Sequence, residues 1–354
     1  MTVDRKKVGI VCTGAARERY FFPDAVQRLE RFADVAWLEF EGPARASVPP
    51  DDAESVRRLA EFVPGLDALV VSYGAPRVTD EILALAPGLV VVGDTHGDRF
   101  GGRIDVAAAH RRGVLAVDTT NGSSDPVAEW ALALILVGLR NAGSHFRRLV
   151  AGEVLWADRD VFLQDPGYLN GELTEKTVGL IAAGNVGRRL LELLAPFHVT
   201  PLVHDAHAPT ALADVYGLEF ATLPVLLAES DVVVCLVPLT TETQGMLGAA
   251  EFATMRDGAV FVNVSRGAVV DTQAMIAELE TGRIIACLDV VEPEPLSPDS
   301  ALRAMPNVFL SPHIAGVTAA AEPRFFELMV DEVIRCLSGL RPHYPLVPRE
   351  PQAD

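Results

Sequence analysis

Three segments of this chain end an apolar run on a side chain able to do chemistry. Gly258–Asp271 (GAVFVNVSRGAVVD) reads as a strand, a polar turn and a helix start, and brings Arg266 to the strand's end. Leu288–Leu296 (LDVVEPEPL) offers Asp289, Glu292 and Glu294, and Ser311–Gly316 (SPHIAG) offers His313. Strand ends are where open α/β sheets place ligands. The planar fork of an arginine suits a carboxylate, because it can hold two oxygens at once. A histidine beside a carboxylate suits proton transfer near neutral pH. Together they predict oxidation or reduction at the carbon next to a carboxylate. Glu292 competes with Glu294 for the place beside the histidine.

Such chemistry needs a redox cofactor, and Thr177–Leu190 (TVGLIAAGNVGRRL) offers a site for one. An apolar strand, Val178–Ala182, meets a turn holding Gly184, Asn185, Val186 and Gly187, and a helix follows. This is the dinucleotide-binding fingerprint with Ala182 in place of its first glycine. Alanine is tolerable there if its φ is negative. Gly184 lets the backbone approach a pyrophosphate, Gly187 lets helix and strand pack closely, and the helix N-terminus supplies free N–H groups. A second strand ends at Asp205, 18 residues after Gly187. A carboxylate there would bond both ribose hydroxyls and repel a 2′-phosphate, which favours NAD over NADP. The alternative is a turn cap.

From Leu89 to Thr318 the chain resembles the D-isomer-specific 2-hydroxyacid dehydrogenases, which include phosphoglycerate, glycerate and D-lactate dehydrogenases. The family's elements occur in order: IDVAAAHRRGV (Ile104–Val114), VAEWALALIL (Val127–Leu136), TVGLIAAGNVG (Thr177–Gly187), DVVVCLVPLTTET (Asp231–Thr243), NVSRGAVVD (Asn263–Asp271), LDVVEPEPL and SPHIAG. Before Leu89 the match is loose.

The resemblance implies roles. Arg266 would bind the substrate's carboxylate and carbonyl oxygens, and His313 would exchange a proton with the carbonyl oxygen. Family spacing favours Glu294, between two prolines, as the residue that holds His313 and favours its imidazolium form. Asp289 would sit near the nicotinamide carboxamide, Val237 and Pro238 would line the cofactor groove, and Thr243 would lie near the phosphates. Val264, Ser265 and Gly316 complete the expected cofactor contacts. The D stereochemistry and a homodimer, with the helix around Trp130 at its interface, rest on the resemblance alone. Formate dehydrogenases share the fold, arginine and histidine, but typically carry glutamine where Glu294 stands. Nucleotide-sensing corepressors keep the fold and the trio. They would bind NADH with negligible turnover, and this chain lacks a basic or low-complexity tail.

The loop Gly93–Arg103 (GDTHGDRFGGR) departs from the family. Its backbone N–H groups would bind the substrate carboxylate, and the nearest positions are His96 and Gly97. His96, Asp98 and Arg99 either shape substrate choice or face solvent. Arg99 and Arg103 leave a phosphorylated substrate open.

Composition fits a soluble enzyme. The chain has 354 residues, 49% of them hydrophobic, enough for about two domains. Its 30 basic and 48 acidic side chains give a net charge of −18. That opposes nucleic-acid binding, which depends on neutralising phosphates. Substrate anions must be drawn by local groups such as Arg266. Four dispersed cysteines form no CxxC pair or metal-ligand spacing, so a reducing cytoplasmic setting and no metal are expected. MTVDRKKVGIVCTG reads as charge followed by a short strand rather than a signal peptide. The apolar run Trp130–Leu139 is too short to span a bilayer, so no membrane is expected.

Strands at Val8–Cys12, Val35–Phe40, Ala68–Ser72, Val90–Val92 and Leu115–Val117 alternate with helices, which predicts one parallel α/β unit. Strands at Val178–Ala182, Thr200–His204, Val232–Leu236, Val260–Asn263, Ala286–Asp289 and Val308–Leu310 predict a second. A helix over Pro126–Asn141, with Pro126 in its first turn, would cross to the second unit, and one over Ala319–Ser338 would return. Gly282 reads as a helix C-cap, and the Pro-rich tail Arg341–Asp354 as a surface segment. The expected fold is α/β with two doubly wound parallel-sheet domains. A Rossmann NAD-binding domain (121–318) would be inserted into a discontinuous, flavodoxin-like substrate domain (1–120 with 319–354).

Overall fold

The computed structural model describes residues 5–97, 102–155, 163, 165 and 171–348. Asp98 and Arg99 lie outside these residues, as does the tail beyond Pro348. The chain divides into two compact units, Met1–Ser123 with Ala319–Asp354, and Ser124–Thr318.

The first unit carries β1 (Lys6–Thr13), β2 (Ala33–Phe40), β3 (Ala68–Val71), β4 (Val91–Asp94) and β5 (Leu115–Asp118). They pair in parallel in the order β2-β1-β3-β4-β5. This is the flavodoxin-like doubly wound order. The strand sequences explain it: β3 (ALVV) is buried throughout, as a parallel strand covered on both faces must be. One face packs Val11, Leu69, Val71 and Val92 under the helix Ala53–Phe62. The other packs Val8, Ile10, Val70 and Val91 against the helix Glu322–Leu337. That helix buries Phe326, Met329, Val330, Val333 and Cys336, the i, i+3, i+4, i+7 stripe of an amphipathic helix. It starts later than the sequence suggests, with Pro323 in its first turn. The Pro-rich tail is not simply a surface segment. Asp118 donates its N–H to Tyr344 O (3.1 Å) and Leu346 donates to Ala116 O (2.8 Å), so the tail pairs along the edge of β5.

The second unit carries β6 (Thr177–Ile181), β7 (Thr200–His204), β8 (Glu219–Phe220), β9 (Val232–Cys235), β10 (Val260–Asn263), β11 (Ile285–Leu288) and β12 (Val308–Leu310). All neighbours are parallel, in the order β12-β11-β10-β9-β6-β7-β8. This is the dinucleotide-fold order extended by a seventh strand, and the direction of winding reverses between β6 and β9. The sequence predicts six strands. β8 was not expected because it is two exposed residues, too short to show a period.

The helix Ser124–Leu139 packs on β10 and β11 through Ala131, Leu134, Ile135 and Leu139. By length and composition alone, Thr120–Leu139 could cross a bilayer, which the shorter run Trp130–Leu139 did not suggest. Its buried face assigns it to the core of this unit instead. Gly282 adopts φ +72 just past the helix Thr272–Glu280 and donates its N–H to Leu279 O, as a C-cap glycine does.

Candidate active site

The turn after β10 is built by Asn263, which is buried. Its Oδ1 accepts from Ser265 N and Ser265 Oγ, each at 3.0 Å, and its Nδ2 donates to Arg266 O at 3.2 Å. One asparagine thus clamps the backbone on both sides of Ser265 and fixes where Arg266 leaves the sheet. Arg266 is half-buried and donates from Nη1 to Ser265 O at 2.7 Å. Gly267 follows because nothing larger fits: a Cβ there would lie 2.0 Å from Val291 O. The close approach packs the Arg266 turn against the segment that leads to Glu294. Asp271 then caps the next helix, accepting from Gln273 N and Ala274 N.

His313 and Glu294 meet directly, with Nδ1 of the imidazole 2.7 Å from Oε1 of the carboxylate. Glu294, and not Glu292, therefore stands beside the histidine. His313 has φ +53, a left-handed conformation that side chains rarely adopt. Asp289 holds the loop around it. Its backbone carbonyl accepts from His313 N at 2.8 Å. Its buried carboxylate accepts from Ser311 Oγ (2.5 Å), Ile314 N (3.1 Å) and Ala315 N (2.9 Å). Trp130 Nε1 donates to Ser311 Oγ at 3.1 Å. The sequence assigns Asp289 to the nicotinamide carboxamide; here it first organises the His313 loop. Three donors leave about one of its acceptor positions for anything else.

The glycine loop fits a dinucleotide. A Cβ at Gly184 would meet open space, so the backbone there is accessible to a ligand. No side chain caps the helix Asn185–Leu194, whose first turn keeps its N–H groups for an anion. A Cβ at Gly187 would lie 2.9 Å from Ala182 O, so helix and strand do pack closely there. Val186 packs on the unit's core, and Asn185 Nδ2 is buried without a partner among the described residues. Ala182 departs from expectation: its φ is +81, the region that favours glycine, so the substitution is strained rather than free. Asp205 ends β7 as expected, but its carboxylate is engaged. Oδ2 accepts from Ala183 N (2.9 Å), and Oδ1 from His207 N (2.8 Å) and Ala208 N (3.0 Å). It ties the glycine loop to the end of β7 and so acts as a turn cap.

Val237 is buried and Pro238 exposed after β9. Thr243 closes that loop by donating to Pro238 O (2.6 Å) and accepting from Thr240 N (2.8 Å), so its hydroxyl proton is already used. Val264 and Ser265 are buried, with Ser265 Oγ 3.4 Å from Cys235 Sγ, and Gly316 is half-buried. All four thiols are free and buried, and burial pushes each up to about 11 or 12, which removes a thiolate nucleophile from consideration.

In the first unit Asp94, His96 and Arg103 of the Gly93–Arg103 loop turn inward. His96 stacks between Tyr73 (4.4 Å between ring centres) and Phe325 (4.6 Å). Its Nδ1 lies 2.7 Å from Thr95 Oγ1. Burial, then Arg103 and Arg45, push its imidazole down to about 3, so it is neutral. Arg103 is buried and donates to both Asp94 oxygens at 3.3 Å, to His96 O at 3.1 Å and to Ser47 O at 3.2 Å. Its guanidinium is thus turned into the unit rather than to solvent. Burial pushes the Asp94 carboxyl up to about 6, against the pull of Arg103 and with a push from Asp118. Gly97 sits over both carboxylates: a Cβ there would lie 2.5 Å from Asp118 Oδ2 and 2.7 Å from Asp94 Oδ2.

Asn263, Ser311 and Trp130 have structural roles here that the sequence did not assign. Asn263 and Ser311 lie inside the quoted motifs, but side-chain hydrogen bonds leave no periodic signal.

Known proteins resemble this chain in sequence and in fold. The family described as "D-isomer specific 2-hydroxyacid dehydrogenase, NAD binding domain" matches residues 132–315, just over half the chain. A glyoxylate reductase of Aeropyrum pernix is 32% identical over 92% of this chain and 92% of its own length. A D-3-phosphoglycerate dehydrogenase of Archaeoglobus fulgidus is 31% identical over 81% of this chain, which spans only 52% of that protein. The solved structure of a phosphoglycerate oxidoreductase from Rhizobium etli superposes with a TM-score of 0.78 at 22% identity, covering 98% of this chain and all of that one, which shows the shared fold. The chain therefore belongs to the D-isomer-specific 2-hydroxyacid dehydrogenase family, as an NAD-dependent enzyme.

Proposed function

We propose that this protein interconverts a small 2-oxo acid and its (R)-2-hydroxy acid, with Arg266, Glu294 and His313 as the working trio. The observation that carries the reading is the 2.7 Å contact between His313 Nδ1 and Glu294 Oε1. It leaves Nε2 free to serve a substrate oxygen. In reduction, the Arg266 guanidinium holds the carboxylate and the carbonyl oxygen, and polarises the C=O bond. The hydride to C2 would come from NADH held at the Gly184–Gly187 loop. His313 gives its Nε2 proton to the carbonyl oxygen, and Glu294 steadies the imidazolium before that step. Oxidation runs the same steps backwards.

The unit Met1–Ser123 with Ala319–Asp354 is assigned substrate binding, and Ser124–Thr318 the cofactor. Because His96 packs inward, the loop would present backbone N–H groups near Gly97 rather than the imidazole. The inward commitment of Arg103 disfavours a phosphorylated substrate. Several relatives are named glyoxylate or glyoxylate/hydroxypyruvate reductases, which supports glyoxylate and compounds of similar size over the phosphorylated substrate named for another. Phe146, Val150 and Val154 are exposed on and after the helix Ala142–Val150. Exposed apolar side chains here, beside the helix around Trp130 that the resemblance places at the interface, support a homodimer. Four free thiols support a cytoplasmic location.

The test is NADH oxidation, with NADPH in parallel, against glyoxylate, hydroxypyruvate, pyruvate, 2-oxoglutarate, phenylpyruvate and phosphohydroxypyruvate. Turnover with NADH and a small unphosphorylated 2-oxo acid is the expected result. Tight NADH binding without turnover of any of them would overturn the assignment and favour a nucleotide-sensing role.

A further inference from the structure

His313 sits in a conformation that persists only where its surroundings over-determine it. Asp289 supplies that constraint through its carbonyl and its carboxylate, and the carboxylate is itself held from one side. Ser311 Oγ has a single proton, and the 2.5 Å contact places it on Asp289 Oδ1. The same Oγ accepts from Trp130 Nε1 at 3.1 Å, 181 residues away in sequence. An indole N–H can only donate. Trp130 therefore fixes which way the Ser311 hydroxyl points, and the donors run one way, from Trp130 to Ser311 to Asp289.

The positions of these residues add to the argument. Trp130 lies on the helix Ser124–Leu139, which opens the second unit, and its ring packs against that unit's core. Asp289 directly follows β11, and Ser311 directly follows β12. The network thus ties one rigid helix to the ends of two adjacent strands, with the histidine loop between its members. Rigid elements, joined by satisfied hydrogen bonds, are what hold a reacting group to sub-ångström precision.

We propose that Trp130 is a positioning residue for His313, acting through Ser311 and Asp289. The proposal rests on the reading of His313 as the proton donor. Trp130 acts on His313 indirectly: its N–H orders the hydroxyl whose bond orders the carboxylate that holds the loop. Core packing alone would need the indole's bulk but not its N–H.

The experiment compares Trp130→Phe, which keeps an aromatic ring and deletes the N–H, with Ser311→Ala, the double variant and His313→Ala. Steady-state rates are taken with the 2-oxo acid the wild type turns over best, and NADH affinity by calorimetry. The expected result is a kcat about 10-fold lower in Trp130→Phe, since small displacements of a reacting group cost 10- to 100-fold. KM and NADH affinity should stay within about twofold, and the double variant should be no slower than Ser311→Ala alone. The His313 imidazole signals in NMR, identified by their loss in His313→Ala, should move at fixed pH in Trp130→Phe. This readout needs no turnover. Unmoved signals, or a kcat within about twofold of wild type, overturn the proposal, as do effects that multiply in the double variant. If His313→Ala itself keeps full turnover, the underlying assignment fails instead, and that outcome is separately visible.

Discussion

His313 Nδ1 and Glu294 Oε1 lie 2.7 Å apart, each side chain 42% exposed. The pair is therefore neither sealed in the core nor loose on the surface. A carboxylate bound at Nδ1 sets the ring's orientation and reserves the other nitrogen for exchange with a ligand. Glu292 points its backbone elsewhere, its carbonyl accepting from Thr272 Oγ1 at 2.9 Å. Two glutamates two residues apart thus have separate tasks.

Removing each member of the trio should give a different kinetic signature. His313→Ala should lower kcat by about 10²–10⁴, the usual contribution of a positioned acid, with NADH binding retained. Glu294→Gln keeps the shape and removes the charge, so it should slow proton transfer while leaving KM for the 2-oxo acid nearly unchanged. Arg266→Lys loses the planar fork and should raise that KM by at least about tenfold. Steady-state kinetics with calorimetric NADH titration checks all three. Full turnover in His313→Ala would remove the histidine from the mechanism.

The strands and the site segments were legible because they carry repeating or punctuated signals. β3, β9 and β10 are wholly buried, so each reads as an unbroken apolar run. Arg266, Glu294 and His313 follow β10, β11 and β12 within six residues. What escaped the sequence depends on side chains meeting across long separations. The Trp130–Ser311 bond and the inward turn of His96 against Tyr73 and Phe325 are of that kind. Asp205 was placed correctly at the end of β7, but its engagement by Ala183, His207 and Ala208 N–H groups depends on the local fold of the turn. The sign of φ at Ala182 likewise follows from the turn and not from the residue type.

Ala182→Gly should stabilise the protein. Alanine at φ +81 bears roughly 1–2 kcal/mol of strain. Glycine relieves it, against about 0.4–1 kcal/mol of added freedom in the unfolded chain. The net expectation is a gain of up to about 1.6 kcal/mol, read as a higher denaturation midpoint with an unchanged slope. A lower midpoint would mean that the strain is absent.

Asp205→Ser should weaken NADH and relax the choice between NADH and NADPH. The substitution removes the charge that repels a 2′-phosphate and leaves up to three backbone N–H groups without their carboxylate partner. KM for NADH should rise at least about tenfold, given about 1.5–3 kcal/mol for a hydrogen bond to a charged group. KM for NADPH should rise less or fall. An unchanged ratio of the two specificity constants would show that Asp205 is a cap alone.

The buried pair of His96 and Asp94 should make opposite contributions to acid stability. The His96 imidazole titrates near 6.5 when unfolded and about 3 when folded. Between those values only the unfolded chain binds the proton, so acidification through 6.5 destabilises the fold. Asp94 titrates near 3.8 unfolded and about 6 folded. Between those values only the folded chain binds the proton, so acidification through 6 stabilises the fold. From about pH 6 down to 4 the two slopes cancel. His96→Asn deletes the destabilising one and leaves Asp94 alone. Whatever the variant costs at pH 7, it should recover at most about 2 kcal/mol of that difference by pH 5, since one pKa unit is about 1.4 kcal/mol. Urea denaturation of both proteins at pH 7 and pH 5 measures the gap. A gap that stays the same at both pH values would mean that His96 is charged in the folded protein at pH 5, against its packing between Tyr73 and Phe325.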